Sequence, residues 1–95
     1  MKFAFLIMAE FFDNEKDFAD IHNGIARIVG VPNIKVACEI SKKLLYEGID
    51  CIELCGAFGL YGAKKIIEAT EHKIPVGYIT HLPEQNDIFT QAFSK

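Results

Sequence analysis

Residues Ile49 to Gly62, IDCIELCGAFGLYG, constrain the fold more than any other stretch of the chain. A short apolar run, Asp50 to Cys55, ends in a cysteine and passes through Gly56, Gly59 and Gly62. It then opens into a helical pattern whose stripe is Ala63, Ile66, Ile67 and Thr70. A strand that turns directly into a helix is the first half of a βαβ crossover, and it needs a parallel strand after the helix. Val76 to Thr80 supply that strand, with Pro75 at its first position, where the missing N–H is tolerated.

The same unit occurs upstream. Gly24 to Val31 reads as a strand, with Ile25, Arg27 and Val29 on one face and Ala26, Ile28 and Gly30 on the other. Pro32-Asn33 breaks it, and Asn33 is placed to cap a helix. Ile34, Ala37, Cys38, Ile40, Ser41, Leu44 and Leu45 repeat at helical spacing opposite Lys35, Glu39, Lys42 and Lys43, and Gly48 supplies the stop. At the other end, Pro83 suits the first position of a last helix whose apolar side is Ile88, Phe89, Ala92 and Phe93. That side predicts a docked C-terminus.

Phe3 to Ala9, FAFLIMA, is continuously apolar, the pattern of a strand buried on both faces, and it belongs inside the sheet. Two right-handed crossovers around it predict an α/β fold: a single small domain over residues 1–95 with a four-stranded, mostly parallel sheet. The expected order is second, first, third, fourth strand, with two crossover helices on one face and a C-terminal helix. Residues 11 to 22, the last helix or another subunit would cover the opposite face. Residues 11 to 24 carry two readings. Asp13 or Asn14 can cap a short helix, or Asn23-Gly24 can turn a hairpin with Phe18 to His22 as an edge strand.

Composition bears on partners. The chain is 51% hydrophobic, with eight phenylalanines, which is more apolar material than a 95-residue monomer readily hides. A homo-oligomer is therefore expected. The net charge of −3, without a basic stripe, argues against nucleic acid. The opening apolar run is too short to span a membrane and lacks a signal-peptide pattern, so a cytoplasmic domain without a membrane partner is expected. Of the three cysteines, Cys51 and Cys55 share a strand about 13 Å apart at roughly 3.3 Å per residue, too far for a disulfide. Free thiols are the expectation. His22, His72 and His81 show no metal-ligand spacing, and no metal site or cofactor is read from them.

From Glu47 to Thr80 the runs EGIDCIELCGAFG, AKKIIEA and IPVGYIT resemble a family of small bacterial α/β domains of unknown function. FAFLIMA and the turn at Gly30 to Asn33 are similar too, and Glu-Leu-Cys-Gly-Ala-Phe-Gly is the most specific part. The resemblance implies one small domain and carries over no catalytic role.

In a parallel sheet, ligands bind beyond the carboxyl ends of the strands. That edge collects Met8 to Glu10, Gly30 to Asn33, Cys55 to Gly62 and Thr80 to Leu82. The glycines let backbone amides approach a small anionic metabolite at a helix N-terminus, although their spacing matches neither the dinucleotide nor the P-loop fingerprint. Glu10, Gly56, Phe58, Gly59, Tyr61 and Gly62 are the candidate ligand contacts. The plainer reading is a turn that packs helix closely on strand.

Cys55 is a candidate nucleophile with His81 as its base, against the alternative of a small buried hydrophobe. Glu53, a carboxylate in an apolar strand, completes the candidate catalytic set, or else pairs with Arg27 to fix packing. Two functions follow. One is a small-ligand site at residues 55–62, with or without catalysis. The other is a non-catalytic oligomeric or interaction module.

Overall fold

The structure, a computed structural model, describes residues 1–94. Strand β1 (Phe3–Met8) lies at the centre, as its unbroken apolar run requires. It pairs in parallel with β3 (Ala26–Val31) on one side and with β4 (Cys51–Leu54) on the other. Strand β5 (Val76–Tyr78) adds to β4 in parallel, and β2 (Phe18–Ile21) closes the other edge antiparallel to β3. The order is β2-β3-β1-β4-β5. The four expected strands stand in the expected order, and the sheet gains a fifth, antiparallel strand, so it is mixed.

The fifth strand is the hairpin reading of residues 18–24. His22, Asn23 and Gly24 have φ of 53°, 57° and 85°, the left-handed run that reverses the chain, and Ile25 N–H donates to His22 O across it. The capped-helix reading of residues 13–22 is not what forms. Asp13 instead organises a turn in which its backbone oxygen accepts from Lys16 and Asp17 N–H.

Helices α1 (Ile34–Tyr46) and α2 (Gly59–Ala69) pack against each other on one face of the sheet. Asn33 caps α1 as its position suggests, Oδ1 accepting from Val36 N–H at 2.8 Å. Beneath the helices the sheet contributes Ala4, Leu6, Val29, Val31, Ile52 and Leu54, none more than 4% exposed. Ala37, Leu44, Phe58, Ala63 and Ile66 close on them from above.

The other face is different. Phe3 and Phe5 on β1 stand level with Ala26 and Ile28 on β3 and with Cys51 and Glu53 on β4. These residues are half-buried or exposed, with Phe3 41% exposed, and Ile21 on β2 is 51% exposed. Of the three expected covers, residues 11–17 bring Phe12, whose ring lies over Gly30.

The last helix does not cover it either. A 3-10 turn (Pro83–Gln85) takes the position given to Pro83, and α3 (Asn86–Phe93) begins after it. The main packing of α3 is against that turn, and every residue from 86 to 94 is exposed. The C-terminus projects rather than docks. An apolar stripe encodes the wish to be covered without encoding the surface that covers it.

Candidate functional site

The carboxyl ends of β1, β4 and β5 gather most of the residues named from the sequence. Cys55 follows β4 directly, its N–H donating to Leu6 O, and Met8 N–H donates to its sulfur at 3.4 Å. The thiol is half-buried over the end of the central strand. Glu10 is exposed in the turn after β1.

Phe58 is 4% exposed and belongs to the core, so it does not line an open site. Gly62 is buried for the same reason: a Cβ there would lie 2.9 Å from Phe58 Cβ and 3.0 Å from Ile34 Cδ1. Gly59 has φ of 61°, the left-handed conformation that turns the chain into the helix. Gly56 and Tyr61 are exposed, and Lys65 lies over the Tyr61 ring at 5.5 Å. The helix start has no side-chain cap and no acidic residue in its first turn.

β5 ends at Tyr78, short of the expected Thr80, so His81 lies beyond the strand and not at its end. Its Nε2 is 2.8 Å from Asn86 Oδ1, and its ring stacks on Phe89 with centroids 3.9 Å apart. These contacts tie His81 to the C-terminal segment, and no hydrogen bond among the described residues joins it to Cys55.

Glu53 sits on the uncovered face. Its register partner on β1 is Phe5, whereas that of Arg27 is Ala4, so the two side chains point to opposite faces and the expected Glu53–Arg27 pair cannot form. Glu53 Oε1 accepts instead from the Cys51 thiol at 3.6 Å, and Oε2 occupies the space above Gly77, where a Cβ would come within 2.8 Å. Burial first, then the Glu53 charge and this hydrogen bond, push the Cys51 thiol above its ordinary range. Burial likewise raises Cys38. Among the described residues Glu53 has no ion-pair partner.

Arg27 has a different and fuller environment. Its guanidinium takes two hydrogen bonds to Asp20 across the hairpin, approaches Glu47 Oε1 at 3.9 Å, and stands 5.9 Å from the centre of the Phe18 ring. The hydrogen bond from Arg27 holds the Asp20 carboxyl below the usual carboxylate range. Two clefts, of about 350 and 250 Å³, flank this cluster between α1 and the hairpin. They lie at the far edge from the glycine turn. The sequence reading places no site there, yet its Asn23-Gly24 turn fixes the register that puts Asp20 opposite Arg27. No group of three metal-ligating side chains is assembled among the described residues.

These features define a small α/β domain with helices on one face only, and with free thiols on both sides of a mid-strand carboxylate. The chain belongs to a family of unknown function, DUF6506, which it matches over residues 1–94. No curated protein and no solved structure matches it. No helix among the described residues is long and apolar enough to cross a membrane.

Proposed function

We propose that this domain is a non-catalytic association module whose uncovered sheet face is its binding surface. One observation carries the reading: the sheet is sealed beneath α1 and α2, while the opposite face leaves Phe3, Phe5, Ile28 and Ile21 half-buried or exposed. Apolar surface of that extent on a sheet face is the mark of a contact made elsewhere. The residues that would serve chemistry are committed to packing or to other partners. Phe58 and Gly62 fill the core, His81 is bound into the C-terminal segment, and Glu53 is bonded to Cys51.

The test is sedimentation velocity at micromolar concentration, for the natural chain and for Phe3→Asp. The natural chain is expected to sediment as an oligomer and the variant as a monomer with unchanged circular dichroism. A natural chain that stays monomeric would overturn the proposal.

A second reading keeps one observation in its favour. The start of α2 offers backbone amides without a side-chain cap beside exposed Gly56 and Lys64, an arrangement suited to a small anionic metabolite. Under this reading Glu10, Gly56, Gly59 and Tyr61 border the ligand, and Cys55, with His81 and Glu53, is the reactive group to test. Inorganic phosphate or small carboxylates would then raise the melting temperature, and Cys55 would label faster than Cys38.

A further inference from the structure

Two apolar surfaces of this chain are left largely open, the first touched by Phe12 and the second by His81, whose ring stacks on Phe89. One is the uncovered sheet face. Its β1–β3 half carries Phe3, Phe5, Ile7, Ala26 and Ile28 with no charged side chain among them, and its β4 half carries Glu53. The other is the stripe of α3, where Ile88 is 59% and Phe93 81% exposed. Residues 11–17 bring Phe12 onto the face at Gly30, and residues 18–21 extend the sheet instead of covering it. Among the described residues, no element closes either surface.

The exposed area is sufficient for a reciprocal contact. A compact 95-residue monomer exposes about 5,500 Å², whereas this chain exposes 6482 Å². The excess, roughly 1,000 Å², is close to the ~800 Å² that each partner contributes to a standard stable interface. The dimensions match as well. Eight helical residues span about 12 Å, which covers two to three strands at about 4.8 Å spacing. A helix laid over β1 and β3 therefore meets the apolar half of the face and leaves the Glu53 carboxylate at the rim, in reach of water.

From this we infer that the chain forms a two-fold dimer by exchange of its C-terminal helices, α3 of each copy seating its Ile88–Phe89–Phe93 side on the β1–β3 sheet face of the other. The inference rests on the association reading above and names the partner as a second copy of this chain. The exchange is isologous: each copy gives one helix and receives one, so the contact closes and does not propagate.

The experiment compares the natural chain, Phe93→Asp and Phe3→Asp by sedimentation velocity. It adds chemical cross-linking of a mixture of isotopically heavy and light natural chains. Phe93 stacks on Phe89 at 6.0 Å and contributes nothing to the core, so its variant keeps the fold. The natural chain is expected to be a dimer, and both variants monomers. Cross-links from residues 86–94 to residues 1–8 or 25–31 are expected to join heavy to light peptides. A dimer that survives Phe93→Asp but not Phe3→Asp would overturn the helix exchange while sparing the association surface. A natural chain that is monomeric would overturn both.

Discussion

Glu53 stands on an otherwise apolar sheet face, and what it does there is written in its neighbours. The carboxylate takes its hydrogen bond from the Cys51 thiol, two residues back on the same side of β4, and fits above Gly77 because that residue has no side chain. Burial and the adjacent negative charge both favour the protonated thiol of Cys51. The direction has a consequence for stability. Well below the ordinary thiol pKa of 9.0, folded and unfolded chains both keep the proton and stability is unaffected. As pH rises through that value, the unfolded chain loses protons first, so stability falls. Cys38 adds in the same direction. Urea midpoints measured from about pH 8 to about pH 10 are expected to fall, and to fall less in Cys51→Ala. Glu53→Gln removes the charge, the second cause of the shift, and leaves burial and an amide oxygen that still accepts from the thiol, so Cys51 is expected to label faster at a given pH. Equal labelling rates would mean that the Cys51–Glu53 contact is not held in solution.

At the scale of elements, the glycine turn between β4 and α2 works through packing. A methyl group at Gly62 would press on Phe58 and Ile34, and overpacking of that kind costs about 1–3 kcal/mol, against a helix-propensity gain of up to about 1 kcal/mol. Gly62→Ala is expected to lower stability by roughly 1 kcal/mol. At Gly56 a Cβ would meet only Ile79 O at 3.6 Å, so Gly56→Ala is expected to stay within about 0.5 kcal/mol. Chemical denaturation of the two variants separates them, and equal effects would remove the packing account. The strand–turn–helix is legible in the sequence because its signals are local: an apolar run, positive-φ glycine at Gly59, then a 3.6-residue stripe. Strand β2 is harder to read. Phe-Ala-Asp-Ile is exposed along its whole length and shows no apolar alternation, so only the Asn23-Gly24 turn announces it. The Glu53–Arg27 pairing fails for a related reason. Which face a strand residue takes depends on register with a neighbour distant in sequence, and a slip of one residue reverses it. For α3 the stripe is legible and its destination is not, because amphipathicity names a side and not a partner.

The whole molecule is more extended than a compact chain of its length. Its radius of gyration is 13.6 Å, against about 12.4 Å for a compact chain of this length, and its longest axis is 39 Å against 27 and 26 Å for the others. If two such chains close over each other, folding and association become one equilibrium, and stability must depend on concentration. Each tenfold rise in concentration then adds about 1.4 kcal/mol to the dimer relative to two unfolded chains. Spread over the two chains, that raises the melting temperature by roughly 3 °C. A chain ending before α3 would lose this dependence while keeping its core, because residues 86–94 bury nothing in it. Thermal melts over a hundredfold range of concentration are therefore expected to diverge: rising for the natural chain, level for the shortened one. Level melts for both would mean that the uncovered face stays uncovered, and parallel rises would mean that the sheet face associates without the helix.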